Sequence, residues 1–245
     1  MAKREYDVIV WGATGFTGEL VVEYLAETYG VEGDLHWAIA GRNRQKLEAV
    51  RDRYLAAGQR DHLGMIIADS GDTQSLADMV ARTRVICTTV GPYAMYGTPL
   101  VAACVEAGTH YCDLTGEVQW MARVIPEYGD AARASGARIV HTCGFDSVPF
   151  DMGVWYLQQQ MQEKHGVTAK QVKGRVAGSK GGASGGTIAS ILNMMEEAKK
   201  DPSLRRKLAD PYVLYPDGEP AGQDGPDQTG AVYDPDFEQW TSPFI

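Results

Sequence analysis

No run of about 18 apolar residues occurs in the chain, so nothing in it is built to cross a bilayer as a helix. The four cysteines, Cys87, Cys104, Cys112 and Cys143, form no CxxC pair, which argues against a zinc site or a disulfide framework and leaves reduced packing residues. No basic cluster of the kind a nucleic-acid surface requires is present, and no internal repeat. The glycine-dense stretch Gly178–Gly186 lacks the Gly-Lys-Ser/Thr that a Walker loop places after its four-residue spacer. Between Met1 and Asp7 the chain enters its first apolar run at once, leaving no room for a signal peptide, so a cytoplasmic protein is expected. From Leu208 to Ile245 there is neither Lys nor Arg but eight acids, so nearly all of the net charge of −9 sits in that stretch. Seven of the eleven prolines also fall after residue 200, which marks a boundary or a long irregular segment there.

What is present begins with Gly12-Ala-Thr-Gly15-Phe-Thr-Gly18, between the run Val8–Trp11 and the apolar-periodic Leu20, Val21, Val22 and Leu25. That order reads as strand, glycine turn, helix. A continuous β-branched run suits a strand buried on both faces, and glycine is needed where the backbone turns tightly and lets a pyrophosphate approach the helix's free N–H groups. The spacing is a variant of the G-x-G-x-x-G fingerprint; its context points to a dinucleotide, the plainer alternative being a tight turn in some other α/β protein.

Strands and helices then alternate along the chain. Strands are expected at 35–40, 64–69, 84–90, 109–113 and 138–143, and helices at 46–57, 73–82, 98–107, 119–135 and 152–164, with Pro126 interrupting the fourth of these helices. Six strands in this series make a complete doubly wound parallel sheet, an α/β Rossmann domain over residues 1–150. Its strand order should reverse between the first and fourth strands, so that the loops after both face one crevice. A further strand at 172–177 and a helix at 187–200 would open an incomplete α+β second domain over 151–245, with an acidic, Pro-rich end from about 208. The glycine-dense loop is either a flap closing on the site or a plain linker.

Cofactor preference is read at the end of the second strand. NAD enzymes place an acid there for the ribose 2′-hydroxyl, whereas NADP enzymes use Arg for the 2′-phosphate. This chain has Gly41-Arg42-Asn43-Arg44 and no acid, so NADP(H) is preferred over NAD(H). Arg44 and Lys46 serve equally well as solvated residues at a helix start. The expected cofactor-binding residues are Gly12, Thr14, Gly15, Phe16, Thr17, Gly18, Arg42, Asn43, Asp69, Val90, Gly91, Pro92 and Tyr93. Asp69 fits either an adenine contact or a turn cap.

Candidates for charge stabilisation and proton delivery are Tyr93, Tyr96, Tyr111, Asp113, Asp146 and Ser147, with Tyr93 and Asp146 as the expected catalytic pair. Tyr93 could donate a hydrogen bond or pack the loop; Asp146 could be an acid raised by burial or a helix cap. His110 and His141 read as core or edge residues of strands. No metal site is expected.

Several motifs together resemble one family: Gly-Ala-Thr-Gly-Phe-Thr-Gly at 12–18, Ala-Gly-Arg at 40–42, Val-Gly-Pro-Tyr at 90–93, Tyr-Gly at 96–97, Thr-Gly-Glu at 115–117 and Gly-Phe-Asp-Ser-Val-Pro at 144–149. These resemble the saccharopine dehydrogenase-like oxidoreductases over about residues 5–200, most closely the bacterial branch of trans-acting enoyl reductases. The resemblance implies an NADP(H)-dependent oxidoreductase acting on a lipid or polyketide acyl thioester, small or carrier-linked, with a polyketide synthase as partner, at the periphery of membrane lipid synthesis; the expected assembly is a homodimer. Phe150 departs from the small residue more usual there, and the chain ends at Ser242-Pro243-Phe244-Ile245 where the family continues into a full substrate domain, so a truncated chain is expected. Two alternatives stay open: a non-catalytic dinucleotide-binding protein, since fold does not fix function, and a saccharopine-type amino-acid dehydrogenase. The latter ranks lower because no paired basic clamp for substrate carboxylates is evident after residue 150.

Overall fold

A computed structural model describes residues 4–178, 180–182, 184–210, 212–215 and 228–243. Its centre is a parallel sheet of β1 (Tyr6–Trp11), β2 (Trp37–Gly41), β3 (Gly64–Ile67), β4 (Thr83–Thr88), β5 (His110–Cys112) and β6 (Ile139–Val140). The spatial order is β3-β2-β1-β4-β5-β6, with the expected reversal between β1 and β4. Val8–Trp11 of β1 run in register with Trp37–Ala40 on one side and Val85–Thr88 on the other.

Because side chains alternate across a sheet, the run Ile9-Val10-Trp11 feeds two cores. Ile9 and Trp11 join Ala38, Ala40, Ile86 and Tyr111 on one face. That face is covered by α3 (Thr73–Ala81), α4 (Tyr93–Ala107) and α5 (Val118–Ser135), through Leu76, Met79, Leu100, Val101, Trp120 and Val124. Val10 and Ile39 face the other way, against Val22 and Leu25 of α1 (Phe16–Tyr29) and Leu47 and Val50 of α2 (Arg44–Tyr54). Each fully buried side chain of this kind contributes about 1.5–3 kcal/mol, which is why β1 is apolar on both faces.

Four local expectations change. α4 begins at Tyr93, five residues ahead of 98, because the Glu117 carboxylate accepts hydrogen bonds from the first-turn amides of Tyr93 and Ala94, at 2.7 and 2.9 Å. α5 runs unbroken through Pro126, which lies on its exposed side, where a lost hydrogen bond is replaced by water. β6 stops at Val140 rather than 143, since Thr142 turns to φ +58° and its N–H goes to Asp113 Oδ1 instead of a strand partner. Residues 172–177 form no strand: Lys173 pairs with both Asp234 and Asp236, and Arg175 pairs with Asp234.

Beyond the sheet come α6 (Val148–His165), α7 (Gly185–Lys200) and α8 (Pro202–Leu208), then a hairpin of β7 (Val232–Asp234) and β8 (Gln239–Thr241). In the hairpin the cross-strand rings Tyr233 and Trp240 meet edge to face at 5.9 Å. Asp217, Glu219, Asp224 and Asp227 of the acidic end, residues 244–245, Ser179 and Ala183 of the glycine-dense loop, and residues 1–3 lie outside the described residues. Among the described residues no helix is long and apolar enough to cross a membrane.

Candidate active site

The site is built where β1 ends. Gly12 takes φ +91°, a conformation that L side chains avoid, and a Cβ there would stand 2.7 Å from Val90 Cγ2. Gly15 N–H donates to the Gly12 carbonyl at 3.0 Å, closing the turn, and Gly15 then caps α1 without a side chain of its own. At Gly18 a Cβ would overlap the Gly12 carbonyl oxygen and lie 2.9 Å from Ala13 Cα, so only glycine lets α1 sit flush on the turn. The opening amides of α1 have no acceptor within the helix, and Gly15, Phe16 and Thr17 stand in the wall of a cavity of about 800 Å3. A helix start with no side-chain cap, free amides and an absent Cβ is a seat for a phosphate.

The other strand ends complete the wall. Arg42 follows β2; its side chain is exposed and forms no ion pair among the described residues. Asp69 follows β3 and accepts from Gly71 N at 2.8 Å, so it lines the cavity and shapes its own turn at once, while Asp72 caps α3. Thr89, Val90 and Gly91 follow β4, and Leu114, Gly116 and Glu117 follow β5. α7 closes the remaining side with Ser184, Gly186, Thr187, Ser190, Ile191 and Met194. Gly12 and Thr14 also line the cavity, so Gly12, Thr14, Gly15, Phe16, Thr17, Arg42, Asp69, Val90, Gly91, Tyr93 and Asp146 are brought together.

Three expected cofactor residues are placed elsewhere. Gly18 is buried beneath the turn, Asn43 points its Oδ1 at Lys46 N as the cap of α2, and Pro92, after a cis Gly91–Pro92 bond, caps α4. Among the proton-delivery candidates, Tyr93, Tyr96 and Asp146 reach the cavity, whereas Tyr111, Asp113 and Ser147 do not. Tyr93 is buried and stacks on Trp120 with ring centroids 5.6 Å apart; its hydroxyl donates to the Thr88 carbonyl at 3.3 Å. Burial, reinforced by the nearby Asp113 charge, pushes its phenol well above the ordinary range. Asp146 is exposed rather than buried and forms no hydrogen bond among the described residues. Tyr96 lines the same wall half-exposed.

Glu117 is the residue that sequence reasoning passed over. It is buried, caps α4 from the neighbouring loop and also accepts from Ser190 Oγ of α7 at 2.8 Å. Its only sequence signal is the Thr-Gly-Glu motif at 115–117. His141, expected within a strand, lies beyond β6 and pairs with Asp113.

Comparison with known proteins adds relatives to this geometry. A protein of Mycobacterium tuberculosis (strain ATCC 25618 / H37Rv), provisionally named a trans-acting enoyl reductase, is 45% identical over 249 residues, covering 99% of this chain and 58% of that protein. The trans-acting enoyl reductase of Mycobacterium ulcerans (strain Agy99) is 41% identical over 217 residues, 88% of this chain and 51% of that one. The chain therefore spans 58% or less of the length of these two relatives. Among solved structures, apo histidine-tagged saccharopine dehydrogenase (L-Glu forming) from Saccharomyces cerevisiae aligns with a TM-score of 0.45 at 18% identity, over 65% of this chain and 31% of that one. Triphenylmethane reductase from Citrobacter sp., complexed with NADP(H), aligns with a TM-score of 0.43 at 18% identity, over 63% and 55%. The family model described as saccharopine dehydrogenase NADP binding domain matches residues 8–141, from within β1 to just past β6. A match that runs over more than half of the chain, from Val8 of β1 through the glycine turn and past β6, places this chain in the saccharopine dehydrogenase NADP-binding domain family.

Proposed function

We propose that the chain is the cofactor-binding part of an NADP(H)-dependent oxidoreductase, an enoyl reductase acting in trans on an acyl thioester carried by a polyketide synthase. The relatives' names and the cavity chemistry support this reading. The observation that carries it is Arg42: a guanidinium in the cavity wall, at the strand end where NAD enzymes keep an acid, with no carboxylate paired to it among the described residues. Residues 1–150 hold the cofactor and residues from 151 onward begin the substrate side.

When bound, the cofactor supplies a hydride. The chain's own residues do the rest. The α1 amides and the glycine turn take the pyrophosphate, and Arg42 takes the 2′-phosphate with paired N–H donors. Asp69 lies on the same wall, toward the adenine end. Val90, Gly91 and the buried ring of Tyr93 form a firm floor beneath the reacting end. Met95, Ile191 and Met194 give that end an apolar side suited to an acyl chain. Hydride arrival at a β-carbon builds negative charge on the thioester oxygen, and a proton must reach the α-carbon. We assign that donor role to Tyr96, whose hydroxyl forms no hydrogen bond among the described residues, in place of Tyr93, whose hydroxyl is committed to Thr88.

The test is a parallel titration of the protein and of Arg42→Ala with NADPH and NADH. The protein should prefer NADPH, and the variant should lose about 10- to 100-fold in NADPH affinity, the worth of a charge-assisted hydrogen-bonded pair, with NADH binding unchanged. A preference of the unmodified protein for NADH overturns the assignment.

A further inference from the structure

β4 and β5 place two cysteines side by side. Cys87 and Cys112 are register partners in adjacent parallel strands, so both side chains leave the same face of the sheet. The row they belong to runs Val10, Cys87, Cys112, Val140 across β1, β4, β5 and β6. Val10 is fully buried in the second core, but that core stops at β1: among the described residues no side chain of β4, β5 or β6 joins it, and Val140 at the far end of the row is exposed. Cys87 and Cys112 are free thiols, each partly open to solvent. Their main chains are enclosed between neighbouring strands, so the open part is side chain.

The pair differs from ordinary packing thiols in geometry and in charge. Partners in a parallel ladder stand about 4.8 Å apart, within the Cα separation of about 4.4–6.8 Å that a disulfide spans. Hydrogen bonding to Cys112 holds the Cys87 thiol below its ordinary range. The same bond, reinforced by burial, pushes Cys112 up, so one sulfur carries the nucleophile while its neighbour keeps the proton. The other two cysteines lack this arrangement. Cys104 is buried in the first core, on the opposite face of the sheet, and burial raises its thiol. Cys143 lies past β6, its sulfur directed at the Val140 and His141 carbonyls at 3.7 and 3.8 Å, and desolvation raises it too.

We propose that Cys87 and Cys112 form a modification site for low-molecular-weight disulfides, a dithiol that exchange converts into a bridge between β4 and β5. The Cys87 thiolate attacks one sulfur of R–S–S–R. That S–S bond breaks, a mixed disulfide forms on Cys87, and the departing thiolate takes up the proton that Cys87 released. Cys112 then gives up its proton and attacks Cys87 Sγ, expelling the second thiolate, which is protonated in turn. Two protein thiols and one R–S–S–R become one protein disulfide and two R–SH, so the protein is oxidised, the reagent is reduced and no other oxidant enters. Nothing in the proposal rests on the oxidoreductase reading.

The probe is glutathione disulfide, added in excess to the reduced full chain, with circular dichroism before and after to show that the chain stays folded. The first product should have lost two of the four thiols and gained no glutathione. Peptides cut between the two residues, at Glu106, should be joined through Cys87 and Cys112, and dithiothreitol should release them. Cys112→Ser should stop at the mixed disulfide, holding one glutathione on Cys87. Cys143→Ser should form the bridge as the parent does. A bridge between Cys112 and Cys143, glutathione left on Cys87 of the parent protein, or Cys87 and Cys112 still reduced once Cys143 has reacted would each overturn the proposal.

Discussion

Replacing Gly18 with alanine sets two effects against each other. Inside a helix, alanine is more favourable than glycine by about 1 kcal/mol, so helix propensity alone says the variant gains stability. The structure says the reverse. The new Cβ would overlap the Gly12 carbonyl oxygen, with Gly12 C at 2.8 Å and Ala13 Cα at 2.9 Å, and all three are backbone atoms that no rotamer can move. Relief requires α1 to lift off the turn, disturbing the packing of Val22 and Leu25 on the second core. Overpacking of this kind costs about 1–3 kcal/mol, more against backbone than side chain, so a net loss of about 1–2 kcal/mol is expected. At a urea slope of about 2–3 kcal/mol/M the unfolding midpoint should fall by roughly 0.5 M. NADPH affinity should fall with it, because the amides that form the phosphate seat move away from the turn. Gly15→Ala is the control: its φ is −88° and its Cβ would meet only Gly12 O, at 3.4 Å, so the fold should stand while the methyl group crowds the seat itself. A Gly18→Ala protein as stable as the parent, or more stable, refutes the reasoning and shows that propensity decides at this position.

Two further substitutions probe the frame. Glu117→Ala leaves the amides of Tyr93 and Ala94 and the Ser190 hydroxyl without their acceptor, and a loss of about 2–4 kcal/mol is expected in urea unfolding, with faster amide exchange at residues 93 and 94. Glu117→Gln, keeping one acceptor oxygen, should recover part of it. Glu5 accepts from Arg82 Nε at 2.7 Å and Nη2 at 2.9 Å, and these bonds hold its carboxyl below the ordinary Glu value. A depressed carboxyl contributes stability above its unfolded value, near about pH 4.3, and loses it as pH falls through the lower folded value. Glu5→Gln should therefore be less stable than the parent at pH 7 and equal to it at strongly acid pH. The gap should stay below about 1 kcal/mol because the pair is exposed to solvent. A gap that persists unchanged into acid would assign it to something other than this ion pair.

What could be read in the sequence was local or periodic. The glycine turn, the apolar runs of β1 to β6 and the reversal of strand order need only short-range pattern and the handedness of parallel connections. The place of Arg42 in the cavity wall was legible because it depends on one position at a strand end. The misjudged places are those where a distant group acts on the backbone. Nothing in residues 93–97 says helix strongly, and α4 starts there because a carboxylate 24 positions along the chain takes its amides. Residues 141–143 read as a strand continuing Ile139–Val140, and the buried Asp113, just past the end of β5, bends them away. The alternation in Val172–Ala177 is real, but a strand needs a neighbouring edge, and the acids of the β7–β8 hairpin hold Lys173 and Arg175 instead.

Glu117 also ties the parallel sheet to α7. Pro92, as the cap of α4, brings neither an N–H nor a side chain able to cap, so the helix start needs an acceptor from elsewhere. Glu117 supplies it at Oε1 and Oε2, and Oε1 takes the Ser190 hydroxyl as well. One carboxylate thus fixes the start of α4 on one side of the cavity and the helix α7 on another. A displacement of α7 must either break the Ser190 contact or carry Glu117 with it, and in the second case Tyr93 and the loop from Thr89 to Gly91 move too. The spacing between the start of α4 and α7 is therefore governed by a buried acceptor shared between them, and the proposed hydride transfer would require such a constant distance.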